Sequence, residues 1–77
     1  MIKDNYIDLR GVSCPLNFVR CRLFLEKLDF DDLLYVHIDK GEPEDLLIPG
    51  LKQEGHEVSI VKSDITWIKL KIVCQSE

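Results

Sequence analysis

The chain has 77 residues, 45% of them hydrophobic and 31% charged, with a formal net charge of -4. So short a chain buries only about 60% or slightly more of its unfolded surface, which leaves room for one core and one domain, residues 1–77. The mixed composition excludes disordered and low-complexity classes, and the negative charge argues against direct nucleic-acid binding, which needs a clustered surplus of Lys and Arg.

In chain order, Tyr6-Ile7-Asp8-Leu9 alternates and is broken by Gly11, which reads as a short first strand. Pro15 suits the first turn of a helix, and the run from Pro15 to Leu28 holds no Gly or further Pro, so a first helix is expected there. Leu33-Leu34-Tyr35-Val36-His37-Ile38 is a second strand ending in Asp39-Lys40-Gly41. Pro43 then offers a second helix start with Glu44 and Asp45 in its first turn. Pro49 is expected to divide that helix, its main part running from Pro49 to Glu54 with Gly55 as C-terminal cap. His56 to Val61 and Thr66 to Val73 alternate again around the polar turn Lys62-Ser63-Asp64, which predicts a hairpin.

The order is β-α-β-α-β-β. In the last strand Ile68, Leu70 and Ile72 share one face, and Trp67, Lys69 and Lys71 share the other. A sheet with one covered and one wet side implies an α/β two-layer sandwich: a four-stranded mixed sheet with two helices on one face. The first residues, Met1-Ile2-Lys3-Asp4-Asn5, hold no apolar core of a signal peptide, and no run approaches the roughly 18 apolar residues of a membrane span. A cytoplasmic location without membrane attachment is therefore expected.

The three cysteines, Cys14, Cys21 and Cys74, include no C-x-x-C pair, and with His37 and His56 they offer no metal-ligand spacing, so no metal site is expected. On the wheel of the first helix Phe18, Cys21, Leu25 and Leu28 form one stripe, with Phe24 at its margin, which predicts the core face and a structural Cys21. Seven helical positions rise about 10 Å, whereas disulfide-bonded Cα atoms lie roughly 4.4 to 6.8 Å apart, so Cys21 is a poor resolving thiol for Cys14. Leu16, Val19 and Leu23 cluster on the opposite side, an apolar patch on a face expected to meet water and a candidate partner-binding surface.

Cys14 stands just before Pro15 at the expected helix start, where the positive end of the helix dipole and free N–H groups favour a thiolate. Such a position lowers a thiol pKa from about 8.5 by one or more units, and Arg10 would add to this if the loop folds it back. The other reading is a small buried hydrophobe at a strand-to-helix corner, and the residues alone leave both open. No His or Asp stands beside Cys14 in sequence, and only His37 and His56 could arrive through the fold as a general base.

Asp8-Leu9-Arg10-Gly11-Val12-Ser13-Cys14-Pro15 followed by a helix, with Gly55-His56-Glu57-Val58 later, resembles the TusA/SirA/YedF family of small sulfur-carrier proteins. The resemblance covers nearly the whole chain and implies the same β-α-β-α-β-β sandwich. It implies that Cys14 is the catalytic thiol, carrying sulfane sulfur as a persulfide, with Arg10, Gly11, Pro15 and Asn17 supporting the site. It also implies a cysteine desulfurase or other persulfide donor, and a downstream acceptor protein in a relay such as tRNA thiolation. Leu16, Val19 and Leu23 would serve the docking, and neither cofactor nor metal is required.

The family's Cys-Pro-x-Pro becomes Cys-Pro-Leu-Asn here, Asn17 standing at the second proline. Were Cys14 the N-cap, the N–H of Asn17 would point at its sulfur and deepen the thiolate bias. A regulatory or protein-binding module of the same fold, or a redox thiol cycling through an intermolecular disulfide, are the alternatives to a carrier.

Overall fold

Four strands and two helices form in the expected order: β1 (Asp4–Asp8), α1 (Leu16–Glu26), β2 (Leu33–Asp39), α2 (Glu42–Gln53), β3 (Glu57–Ser63) and β4 (Trp67–Val73). The structure is a computed structural model and describes residues 4–13 and 15–75. The strands lie in the order β1-β2-β4-β3, with β1 parallel to β2 and β4 antiparallel to both β2 and β3. Two connections therefore join parallel strands, from β1 to β2 and from β2 over β4 to β3. Both advance the same way across the sheet, and the right-handed rule for such crossovers puts both helices on one face.

Alternation then sorts the side chains. Leu34, Val36 and Ile38 of β2 and Ile68, Leu70 and Ile72 of β4 are buried beneath the helices with Leu9, Cys21, Leu25, Leu47, Leu51 and Cys74. Phe18, Phe24 and Leu28 pack partly buried against them, so the face expected for α1 is the one that docks. The helices meet where Phe18 crosses Gly50: a Cβ on Gly50 would lie 2.9 Å from the Phe18 ring, which only glycine leaves clear.

Three local expectations are corrected. Helix α2 is continuous through Pro49 instead of divided by it, so one intrahelical hydrogen bond is forgone on an exposed surface while the apolar residues Leu47 and Leu51 hold the helix down. It opens with the Gly41 N–H donating to the Glu44 carboxylate (3.1 Å). It closes as expected at Gly55, whose φ of 94° lets the N–H groups of Gly55 and His56 reach the Lys52 and Leu51 carbonyls. Strand β3 runs on to Ser63, past a register shift between Ile60 and Lys62, so the hairpin turn is residues 64–66 and not Lys62-Ser63-Asp64. Helix α1 begins at Leu16 with Pro15 as its N-cap, and ends at Glu26, where Lys27 and Leu28 tighten onto the Phe24 and Leu25 carbonyls.

Candidate functional site at the β1–α1 corner

The corner between β1 and α1 is built by a chain that must leave the sheet and rise to the helix layer. Leu9 drops into the core and its N–H donates to the His37 carbonyl (2.8 Å), which continues the β1–β2 pairing by one residue. Gly11 then takes φ 82°, a left-handed conformation that glycine adopts without strain, and its N–H donates to the Asp39 carboxylate at the end of β2 (2.8 Å). The Val12 N–H closes the turn on the Leu9 carbonyl (3.1 Å). Leu9 and Asp39 thus clamp the loop from below and from the side.

Arg10 is held on the sheet side of this loop. Its Nε and Nη2 donate to the two Asp8 carboxylate oxygens at 2.9 and 2.8 Å, a bidentate pair with both side chains well exposed. The Arg10 hydrogen bonds hold the Asp8 carboxyl at about 2, below its usual 3.8. Sequence reading had not selected Asp8 or Asp39. Asp8 was legible as an acid two residues before Arg10, whereas Asp39 becomes a partner only through the pairing of β1 with β2.

Cys14 itself lies outside the described residues. On its helical side the Asn17 N–H donates to the Ser13 carbonyl and the Val19 N–H to the Pro15 carbonyl, both at 3.1 Å. The expectation that the Asn17 N–H is free to face sulfur is thereby corrected, because the helix is capped at Pro15 and that donor is used within the turn. The Asn17 side chain does something the sequence did not announce. It is buried, 1% exposed, and its Oδ1 accepts the Phe18 N–H at 2.6 Å. That bond fixes which end is oxygen, and Nδ2 is left buried with no hydrogen-bond partner among the described residues. No acidic residue stands in the first turn of α1 to oppose an anion there.

Leu16, Val19 and Leu23 stand 46%, 44% and 53% exposed on the outer side of α1, an apolar stripe beginning at the corner. The other thiols are remote from solvent: Cys21 and Cys74 are both fully buried, and burial pushes the Cys21 thiol up to about 12. His37 lies on the helix-free face of the sheet with its Nδ1 against the Tyr6 hydroxyl, its pKa lowered mainly by burial and next by Arg10. His56 is tied elsewhere, its Nδ1 accepting the Gln75 N–H at 3.0 Å. Two concavities, lined by Lys52, His56 and Lys71 and by Arg22, Leu25 and Glu54, lie away from the corner. Among the described residues, the corner carries an exposed apolar stripe that begins at the head of α1, and neither concavity is lined by its residues.

The family model described as sulfurtransferase TusA matches residues 5–73. A protein of Archaeoglobus fulgidus, provisionally named a sulfur carrier protein, is 40% identical over 60 residues, 77% of this chain and 67% of that one. The Bacillus subtilis protein YrkI, likewise provisionally named a sulfur carrier, is 34% identical over 59 residues, 75% of this chain and 77% of that one. The crystal structure of a SirA-like protein from Desulfitobacterium hafniense superposes with a TM-score of 0.79 over 94% of this chain and 99% of that chain; at 22% identity it shares the fold.

Proposed function

The chain belongs to the sulfurtransferase TusA family, and from that premise we propose that it is a sulfur carrier that holds sulfane sulfur as a persulfide on Cys14 and passes it to an acceptor protein. The observation that carries this reading is the family match across residues 5–73, which spans the Cys14-Pro15 pair at the head of α1. In the loading step the Cys14 thiolate attacks the terminal sulfur of a donor persulfide. The donor's S–S bond breaks, the donor cysteine leaves as a thiolate, and a new S–S bond joins Cys14 to the transferred sulfur. In the unloading step an acceptor thiolate attacks that outer sulfur and Cys14 leaves as thiolate. Each step is an exchange at sulfur with no net oxidation and needs no added reductant.

The thiolate is supported by the end of α1, whose dipole presents partial positive charge with no carboxylate in the first turn. On this reading the Nδ2 of Asn17, buried and without a hydrogen-bond partner among the described residues, is the donor that serves a sulfur anion three residues earlier in the chain. The donor is a cysteine desulfurase or another persulfide protein, and the acceptor a protein in tRNA thiolation or a related sulfur relay. The exposed stripe of Leu16, Val19 and Leu23 gives such partners an apolar seat beside the reacting sulfur.

Incubation with a cysteine desulfurase and L-cysteine, followed by intact-mass measurement without reductant, tests the reading. Wild type gains about 32 Da, one sulfur, and Cys14→Ser gains none. Equal loading of wild type and Cys14→Ser overturns the assignment. Leu23→Glu is expected to slow loading at least tenfold while leaving Cys14 alkylation by iodoacetamide unchanged.

A further inference from the structure

Strand order leaves the sheet two outer edges, β1 on one side and β3 on the other, and no strand among the described residues pairs with either. The longer one is β3, seven residues without a proline, on which Ile60 and Val61 stand 54% and 47% exposed. An edge of that length, with apolar side chains beside its free backbone N–H and C=O groups, is a template for another strand.

The bulge in β3 decides which strand fits. Glu57 pairs with Val73 and Lys62 with Lys69, and Val73 and Lys69 share the open face of β4. Residues five apart on a regular strand face opposite ways, so it is the register shift between Ile60 and Lys62 that brings Glu57 and Lys62 to one face. Val58 and Ile60, paired with Ile72 and Leu70, lie on the covered face. A second β3 laid antiparallel about Ser59 then sets Glu57 opposite Lys62 and Val58 opposite Ile60, each match made twice, with Ser59 opposite Ser59 on the two-fold axis. Asp64, the next acid along, lies past the strand with its Oδ1 on the Ile65 N–H (2.6 Å).

Helix α2 gives an independent match. Its Gly50 and Glu54 face α1, through the Phe18 ring and the 3.0 Å pair of Glu54 with Arg22. At about 100° per residue, Asp45, Ile48 and Lys52 fall on the opposite side, toward β3, and Lys52 lines a concavity with Val58 and Ser59. Ile48, six helical positions before Glu54, and Ser59, three strand positions after His56, are each displaced by about 9 to 10 Å from the α2–β3 turn, so they stand near one level. The same two-fold turn therefore brings Ile48 toward Ile48 of the copy and Asp45 toward Lys52 of the copy. Neither Asp45 nor Lys52 makes an ion pair among the described residues, and Ile48 is only partly buried.

Strand β1 is the contrasting edge. Turned on itself about Tyr6, it sets Asp4 against Asp8, carboxylate facing carboxylate, so pairing through β3 closes at two copies. We propose that β3 is a self-pairing edge through which two copies of this chain join antiparallel into one continuous sheet, with the helices of both on the same face. A strand and one helix flank per copy make an interface of about 1,000 Å² in total, the low end for a specific contact, which goes with a dimer that dissociates on dilution into the micromolar range. Helix α1 lies on the far side of α2 from the seam, so the Leu16, Val19 and Leu23 stripe stays open in both copies. The pairing needs nothing of the sulfur chemistry.

Sedimentation velocity of the full chain at about 10 to 500 µM tests the proposal on that concentration scale. Wild type is expected to shift from monomer to dimer as concentration rises. Glu57→Lys and Lys62→Glu, each with native circular dichroism, are expected to weaken the dimer at least about tenfold, because each change sets like charges opposite at both ends of the seam. The double variant Glu57→Lys/Lys62→Glu restores both matches and is expected to recover the dimer. Amide hydrogen exchange on wild type is expected to slow with concentration in β3 and not in β1. A chain that stays monomeric throughout, a double variant no better than the single ones, protection gained on β1 in place of β3, growth beyond two copies, or a dimer broken by Leu23→Glu and untouched by both β3 variants would overturn it.

Discussion

The two faces of the sheet use the same strands to opposite ends. In β2, Leu34, Val36 and Ile38 are wholly buried under the helices, while Leu33, Tyr35, His37 and Asp39 between them point to the open side and are only partly covered. The covered face is joined by dispersion and exclusion of water, and it locks the β1–α1 corner through Leu9. The open face is held by ring edges at 4.7 Å and by cations at 5.3 and 5.8 Å from ring centroids. The apolar core and the exposed polar surface are thus separated by one residue of register.

The largest break in that contrast comes from the covered side. Leu70→Ala removes a fully buried side chain and is expected to cost about 2–5 kcal/mol in urea unfolding. Lys71→Ala, on the same strand facing the other way, changes stability by about 0.5 kcal/mol or less in dilute solution. Gly50→Val drives a side chain into the Phe18 ring where the helices cross and costs about 1–3 kcal/mol by the same measurement.

Asn17 sharpens the comparison at the corner, because its role divides between fold and sulfur. Asn17→Ala loses the bond to the Phe18 N–H but also removes a buried Nδ2 that has no partner among the described residues, so stability changes by less than about 1 kcal/mol. The Cys14 thiol pKa, read from the pH profile of iodoacetamide alkylation, rises by about one unit, the value of a hydrogen bond to a charged group. In the native protein the buried Cys21 and Cys74 should not label in that experiment.

The smallest effect lies at the Asp8–Arg10 pair. With the Asp8 carboxyl at about 2 and its ordinary value at 3.8, the pair's stabilisation is present above pH 4 and fades as pH falls through about 2. Both side chains are exposed, so solvent screens most of it. Arg10→Ala is expected to return the carboxyl toward 3.8 in a carboxyl-carbon NMR titration.

Much of this architecture was legible in the sequence, because each element followed one clear pattern. Alternation in Trp67 to Val73 announced the covered and open faces, the 3.6-residue stripe of Phe18, Cys21 and Leu25 announced the docked side of α1, and Gly55 announced a helix end. What escaped depended on contacts made only after folding. Pro49 is carried inside α2 because Leu47 and Leu51 are packed, a tertiary gain that outweighs a local preference. Asn17 reads as a polar residue at a helix start, and only the packed corner shows it to be buried with its Nδ2 unpaired among the described residues. Asp39 lies 28 residues from Gly11 and meets it through strand pairing alone.

The most direct measurement for the central claim is to load the protein from a desulfurase and cysteine, block with iodoacetamide, digest, and map the persulfide among Cys14, Cys21 and Cys74. The account predicts the added sulfur on the Cys14 peptide alone, and its disappearance when an acceptor thiol is supplied. Sulfur found on Cys21 or Cys74, or no sulfur on any peptide while the donor turns over, would contradict it.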